Sequence, residues 1–406
     1  MANDGIPMNN PEAAPPPPKP EKKKKRKGPF KVQRYGGWLL YFWHGMRFGA
    51  WARLLARGRF DITLNCLPNI LTVSIWAPFN SALYYISEAL YRRRAETLAL
   101  DQPPIFILGH WRTGTTLLHD LLACDKRFAA PTTYQCVFPN HFLLTEPLLA
   151  ALFGIFLPKK RPQDSMPVSM ERPQEEEFAY TILGMGTPYN TMAFPRHGPV
   201  DTDYLDLHGL SDKARRDWID GFLWFHRRLA LKHGRPLVLK SPPHTARIEL
   251  LVELFPDAKF IHLARNPLEV VPSTVKLWRA LYSTQGLHNP PRLEGWLEDY
   301  VLKVFERLAN RYEADRHLIP DGQLVEITME DLAADPKGTL RAIYEQLDLG
   351  PFDETALKVD AYLDARDAHR PASYDVPKAT RGKIMSRLGP YIDRFGYRDA
   401  VERAGG

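Results

Sequence analysis

The sequence predicts an α/β fold in which helices flank a P-loop-like parallel sheet, with a helical extension before it. Short apolar runs of strand length alternate with longer segments of helical periodicity. One of these runs leads directly into a glycine-bearing turn and the start of a helix. Strands that alternate with helices form a parallel sheet covered on both faces.

The clearest of these segments contains the predicted strand 105–108. Gly109 and Gly114 bracket the turn that follows it, and a helix is predicted from Thr115, with leucines at helical spacing. The first N–H groups of a helix have no partner inside it and carry partial positive charge. The turn therefore predicts a binding site for an anion.

The glycine spacing of this turn matches the nucleotide P-loop except at one position. A P-loop has lysine directly after its second glycine, whereas this chain has Thr115, and the cation is Arg112 inside the turn. A guanidinium offers a planar fork of donors that suits a phosphate or a sulfonate. The turn still fits a phosphate-like anion, but it lacks the lysine of the NTP-and-magnesium site. A strand–turn–helix corner without a ligand is the alternative.

Further elements continue the alternation towards the C-terminus. Strands are predicted at 236–240, 258–264 and 323–328. Helices are predicted at 217–233, 248–255, 269–282, 293–316 and 336–347. Since ligands of parallel sheets bind beyond the carboxyl ends of the strands, four residues that lie at or after these ends are expected to converge there: Arg112, Lys240, His244 and Arg265.

Composition and charge limit the function classes. The chain has 406 residues and a net charge of +7. Eight basic and three acidic residues lie between 1 and 31, so the rest of the chain is nearly balanced and nucleic-acid binding is not predicted. Cys66, Cys124 and Cys136 have no metal-site spacing and form no disulfide framework. A reducing, cytoplasmic compartment is the expectation.

The N-terminal third suggests contact with a membrane surface. We predict a disordered basic tail over 1–30, a helical extension over 31–100 and the main domain over 101–406. No charge occurs between 62 and 87, but prolines and asparagines interrupt this stretch, so it is a poor spanning helix. Residues 19–90 therefore either make peripheral membrane contact or form a helical layer over the core. No signal peptide is predicted.

A run of three glutamates provides candidates for a general base. Glu175, Glu176 and Glu177 follow Pro173, where acidic residues favour the first turn of a helix. They are either capping charges or include a base that points into the cleft. His244 is a further candidate for that role.

Together these motifs resemble the sulfotransferase superfamily, whose sulfonate donor is 3′-phosphoadenosine 5′-phosphosulfate (PAPS). The resemblance rests on the turn 109–117 and on Arg265 and Ser273 after a later strand, and it extends over about 103–347. The sequence is most similar to the bacterial branch with signatures like RPQEEEF (172–178) and LKSPPHT (239–245).

The resemblance implies a set of site residues. The donor's 5′-phosphosulfate would be bound by Arg112, Thr113, Gly114, Thr115, Thr116 and Leu117, and its 3′-phosphate by Arg265 and Ser273. Arg112 and Lys240 would stabilise charge on the sulfonate and the leaving oxygen. Arg112 replaces the lysine of many members and cannot act as an acid. For the base, we prefer Glu176, then Glu175, then His244.

The implied reaction is in-line transfer of a sulfonate from PAPS to a hydroxyl or amine, without a metal. The acceptor remains open among small molecules, glycans and lipids, as does the oligomeric state. Two alternatives remain at this point: a P-loop-type nucleotide kinase or NTPase, and a non-catalytic PAPS-binding protein associated with membranes.

Overall fold

The computed structural model describes residues 41–155, 169–289, 293, 296–365 and 374–403. The chain divides into two compact units, and all described residues belong to the second, which extends from Gln33 to Gly406. The predicted tail over 1–30 lies outside the described residues. The predicted boundary at residue 100 stays a prediction.

A four-stranded parallel sheet forms the centre of the described chain. Its strands are β1 (Ile105–Leu108), β2 (Val238–Lys240), β3 (Lys259–Ala264) and β4 (Leu324–Thr328), in the order β2-β1-β3-β4. Phe106 pairs with Leu239 on one side and with Phe260 on the other. The predicted α/β fold with a parallel sheet is confirmed, and the turn after β1 lies between the ends of β2 and β3.

Helices cover both faces of this sheet. They are α1 (Phe48–Arg57), α2 (Leu67–Glu96), α3 (Thr115–Leu122), α4 (Thr133–Val137), α5 (Phe142–Gly154), α6 (Glu176–Leu183), α7 (Asp212–His233), α8 (Ile248–Leu254), α9 (Pro267–Gln285), α10 (Leu297–Asp315), α11 (Met329–Ala334), α12 (Pro336–Gln346), α13 (Asp353–Ala365), α14 (Lys378–Arg394) and α15 (Arg398–Arg403). The helices predicted after β1 are present, with ends shifted by a few residues.

The core lies in two layers, one on each face of the sheet. Side chains alternate along a strand, so Phe106 and Leu108 of β1 join the larger cluster, which includes residues of α1, α2, α6, α7 and α10. Ile105 and Ile107 join the smaller cluster, formed with α3, α12 and α13. The two core layers cover the faces of the sheet, and the predicted ligand site lies at the carboxyl ends of its strands.

The N-terminal region differs from the expectation in one respect. The prolines and asparagines after residue 62 were expected to interrupt the apolar stretch, but α2 is continuous over 30 residues with Pro78 inside it. Asn80 is accommodated because its amide donates to the carbonyl oxygens of His44 and Met46, at 2.6 and 2.9 Å. The buried amide of Asn80 thus provides a hydrogen-bond donor for two backbone carbonyl groups of the segment that packs beside the helix.

Candidate active site

The turn after β1 has the backbone geometry that its glycines predict. Gly109 has φ +142° and Gly114 has φ +106°, both in the region that favours glycine. A Cβ atom at Gly109 would lie 2.7 Å from the Leu263 carbonyl oxygen, which is backbone, whereas one at Gly114 would meet the flexible side chain of Met329. Gly109 is therefore required by both conformation and space, and Gly114 by its conformation.

The turn ends at the N-terminus of α3, which it leaves open for an anion. Gly114 is the N-cap and supplies no side-chain cap, so the N–H groups of Thr115 and Thr116 have no acceptor within the helix. The N–H groups of Thr113 and Leu117 are already bonded, to the carbonyl oxygens of His110 and Gly114 at 3.2 and 2.9 Å. The Leu117 side chain packs in the smaller core cluster.

On the β3 side of the turn, Arg112, Ser273 and Arg265 come together. The Arg112 Nε donates to the Ser273 hydroxyl at 3.0 Å, and Arg265 donates to the Arg112 carbonyl oxygen at 3.1 Å. The Ser273 side chain belongs to α9, which begins after the end of β3. The Arg112 side chain thus contacts Ser273 while its backbone carbonyl contacts the Arg265 side chain, and guanidinium and hydroxyl groups are donors that suit a phosphate.

A carboxylate also lies in this cluster. Glu269, one helical turn after Arg265, accepts hydrogen bonds from the Arg265 Nε at 3.0 Å and from a second nitrogen of the same guanidinium. The backbone of Arg265 is held by Tyr391 of α14, whose hydroxyl accepts from its N–H and donates to its carbonyl oxygen. Glu269 was not anticipated from the sequence.

On the β2 side of the turn, Lys240 pairs with Glu175. The Lys240 ammonium donates to Glu175 Oε1, and only 3% of the lysine side chain is exposed against 15% of the glutamate side chain. The other Glu175 oxygen accepts from the Tyr189 hydroxyl, which in turn accepts from the Trp111 indole N–H at 2.7 Å. A chain of hydrogen bonds therefore joins the turn, through Trp111 and Tyr189, to the lysine–glutamate pair.

The three consecutive glutamates have three different basic partners. Glu175 pairs with Lys240, Glu176 with His244 and Glu177 with Arg247. The Glu177 carboxylate is also bonded to the hydroxyl groups of Ser241 and Thr187, at 2.9 and 2.6 Å. These contacts fix the start of α6 against the segment that follows β2.

Burial separates the candidates for the base. The side chains of Glu176 and His244 are both fully buried and share a 2.7 Å hydrogen bond. Burial raises the pKa of Glu176, but the hydrogen bond and the charge of His244 outweigh it and lower the pKa to about 2. Glu175 keeps some exposure, so burial favours Glu175 over both Glu176, which the sequence placed first, and His244.

Sequence reasoning missed Tyr189 and gave Trp111 no role. Trp111 belongs to the turn motif. Tyr189 lies in a short 3₁₀ segment, Pro188–Met192, outside the turn and the glutamate motif. Its position next to Glu175 depends on long-range packing, and no local sequence signal marks it.

One further group of titratable side chains in the described chain has the spacing of a metal site, namely Asp61, His197 and His288. The ring nitrogens of His288 already form hydrogen bonds within the protein. The His288 Nε2 accepts from the Arg196 backbone N–H at 2.9 Å. Its Nδ1 must therefore carry the proton that binds Asp61, at 2.9 Å. We assign this group no metal, and the expectation of metal-free chemistry stays a prediction.

Among the described helices, none is long and apolar enough to cross a bilayer.

The profile of the sulfotransferase family matches residues 103–354. The chain is 36% identical over 367 residues to omega-hydroxy-beta-dihydromenaquinone-9 sulfotransferase Stf3 of Mycobacterium bovis, covering 90% of this chain and 94% of the relative. The Mycobacterium tuberculosis protein of that name matches equally.

Two solved structures have a similar fold. Sulfotransferase STF9 from Mycobacterium avium aligns with a TM-score of 0.55 at 21% identity, covering 85% of this chain and 96% of that one. Sulfotransferase STF1 from Mycobacterium tuberculosis aligns with a TM-score of 0.55 at 18% identity, covering 83% and 90%. At these identities the likeness supports the fold.

Proposed function

The chain belongs to the sulfotransferase family, and we propose how its own residues bind the donor and move the proton. It is an enzyme that transfers a sulfonate group, and the family's donor is PAPS. Bound PAPS supplies an activated sulfonate and a phosphate leaving group. Donor binding, proton transfer and charge stabilisation are the tasks of the residues around the turn after β1.

For donor binding, we propose that the 5′-phosphosulfate lies on the turn. Its donors would be the N–H groups of Gly114, Thr115 and Thr116, because those of Thr113 and Leu117 are bonded elsewhere. The 3′-phosphate would lie with Arg265 and Ser273. Arg112 supports that site through its bond to Ser273, so we assign it to donor binding ahead of catalysis.

For proton transfer, we propose Glu175 as the base and Lys240 as its partner. The supporting observation is their direct ion pair at the end of β2, next to the turn. An incoming sulfonate competes with Glu175 for the Lys240 ammonium. The carboxylate then accepts the proton of the acceptor hydroxyl as the new oxygen–sulfur bond forms and the bond from sulfur to the phosphate oxygen breaks. Lys240 stabilises the charge on the leaving oxygen.

Glu176, His244 and Glu177 then have a supporting role. Their side chains lie in buried pairs that hold α6 against the segment after β2. A group without exposure does not meet an acceptor hydroxyl, so we propose that Glu176 positions Glu175 and does not act as the base.

For the acceptor, we propose the hydroxyl of a long apolar lipid. The relative of 36% identity is named for an omega-hydroxy menaquinone, an alcohol on a lipid. Such a substrate resides in a bilayer, which agrees with the expectation of peripheral membrane contact from the cytoplasmic side.

The test is a transfer assay with PAPS and two acceptor classes, long-chain prenyl alcohols in detergent and soluble sugars. We expect sulfate ester from the prenyl alcohol. Glu175→Gln should lower kcat by at least about a hundredfold, whereas Glu176→Gln, at a temperature where it is folded, should retain more activity. Equal activity on sugars would contradict the lipid acceptor. Retention of activity by Glu175→Gln would contradict its role as base.

A further inference from the structure

Helix α2 has the reverse of the usual polarity of a surface helix. Between residues 67 and 90, all of them described, every exposed side chain is apolar. Asn69, Asn80 and Ser87 are the residues of this stretch whose polar side chains are buried. A helix on the surface of a soluble protein has its polar residues on the outside, so this one is built for an apolar environment.

The exposed residues form one stripe along the helix. Six large side chains at spacings of four or seven residues carry it: Leu67, Leu71, Ile75, Phe79, Ile86 and Leu90. Leu71, Ile75 and Phe79 are each about 60% exposed, at 59, 62 and 59%. At about 1.5 Å per residue, the 24 positions from 67 to 90 extend over roughly 36 Å.

Helix α5 widens the stripe into a face. Its exposed residues are also apolar, and Leu148 and Leu152 are among them, at 79 and 51% exposure. The two helices meet where Trp76 packs edge-on against Phe153, with ring centroids 6.1 Å apart. We call this combined surface of α2 and α5 the apolar face. Patches of this kind mark interaction sites.

Charge at the ends of the apolar face indicates the partner. Residues 47–96 include seven arginines and three acidic residues. Arg93 and Arg94 are exposed at the C-terminal end of α2, directly after the stripe. The sequence that precedes the described residues adds a basic cluster over 22–27. Apolar side chains flanked by cations fit the interface of a bilayer that contains anionic lipid.

We propose that the apolar face docks this enzyme onto an anionic bilayer, with α2 lying in the plane of the interface. Buried packing contacts also connect this face to the site. Phe153 contacts the buried Phe138 next to α4, with ring centroids 4.8 Å apart, and α4 packs on α6, whose N-cap is Glu175. The helices of the apolar face are thus linked through the core to the helix whose N-cap is the proposed base. Docking on the bilayer is argued from exposure and charge alone. Only the reason for docking, access to a lipid acceptor, rests on the proposed function.

The test is co-sedimentation of the full chain with phosphatidylcholine vesicles, with and without phosphatidylglycerol. We expect binding that is stronger with phosphatidylglycerol and weaker at high salt. A triple variant, Leu71→Gln, Ile75→Gln and Phe79→Gln, should lose affinity by at least about a hundredfold. Arg93→Gln with Arg94→Gln should lose the preference for phosphatidylglycerol. The control is Leu357→Gln, which substitutes a still more exposed leucine on α13, outside the apolar face.

Two results would overturn the proposal. One is a wild-type protein that stays in the supernatant with both kinds of vesicle. The other is a wild-type dimer, seen by sedimentation velocity, that the triple variant dissociates while vesicle binding is absent, because the face would then bind a second copy. Calorimetric binding of adenosine 3′,5′-bisphosphate, measured on each variant, verifies folding and tests the donor site separately.

Discussion

The Tyr189 hydroxyl donates a hydrogen bond to Glu175 and accepts one from Trp111 of the turn. Burial and the charge of Glu175 raise the pKa of Tyr189, so its hydroxyl remains a donor at neutral pH. The carboxylate is therefore held from two sides, by Tyr189 and by Lys240. The position of Glu175 relative to the turn therefore depends on Tyr189, a residue that stays protonated at neutral pH.

Tyr189→Phe should therefore lower kcat and leave donor binding intact. The variant keeps the ring packing against Trp278, at 5.4 Å between centroids, but removes a hydrogen bond to a charged group. We expect kcat to fall about tenfold or more, with the KM for PAPS changed less than about twofold.

The matched control for that experiment is Tyr180→Phe. Tyr180 is equally buried on α6, and its hydroxyl has no hydrogen-bond partner among the described residues. An equal loss of kcat in both variants would show that Tyr189 acts through packing alone.

Glu269 should oppose donor binding. Its carboxylate occupies donors of Arg265 that a 3′-phosphate needs. Removing its charge by Glu269→Gln should tighten binding of adenosine 3′,5′-bisphosphate by about three- to tenfold. Weaker binding would mean instead that Glu269 orients Arg265 for the phosphate. Isothermal titration calorimetry measures either outcome.

Glu177 should matter for stability far more than an exposed glutamate does. It is fully buried with Arg247, so Glu177→Gln leaves an unpaired charge and should cost about 3–5 kcal/mol of unfolding free energy. Glu253→Gln, which breaks the exposed pair with Arg215, should cost less than about 1 kcal/mol. Urea unfolding of both variants measures the difference, and equal losses would contradict the account.

Acid should destabilise the fold already below neutral pH. Burial lowers the pKa of His110 to about 3 and that of His226 and His262 to about 4. Burial, together with the charge of Lys240, lowers the pKa of His119 to about 4. All four are depressed below the unfolded value near 6.5, so the unfolded state binds protons first as pH falls.

The stability that these histidines contribute is complete above about pH 6.5 and is lost as pH falls towards 4. Each contributes a slope of at most about 1.4 kcal/mol per pH unit. We expect the unfolding free energy to drop by at least about 3 kcal/mol between pH 7 and pH 5. Denaturant unfolding that is independent of pH over this range would contradict the burial of neutral histidines.

The sheet could be predicted from the sequence because its signal is local. The strand at 105–108 is an uninterrupted apolar run, and the glycines after it are required by the turn itself. The placement of Lys240 and Arg265 could be predicted too. Lys240 ends one strand and Arg265 follows another, and parallel topology puts both at the same edge of the sheet.

What the sequence could not supply depends on partners distant in the chain. Adjacent glutamates look alike in sequence, yet Glu175 pairs with Lys240 and keeps 15% of its side chain exposed, while Glu176 is fully buried with His244. The continuity of α2 could not be predicted either. The Asn80 amide is accommodated because it donates hydrogen bonds to backbone carbonyl groups some 35 residues earlier in the chain.

The measurement that tests the central claim most directly is calorimetric titration with adenosine 3′,5′-bisphosphate, without magnesium. We predict clear binding to the wild-type protein and a loss of about a hundredfold in Arg265→Ala. Arg215→Ala, which removes an equal charge on the exposed surface of α7, should bind as the wild type does. The absence of binding to the folded wild-type protein, or equal binding to Arg265→Ala, would contradict the donor site described above.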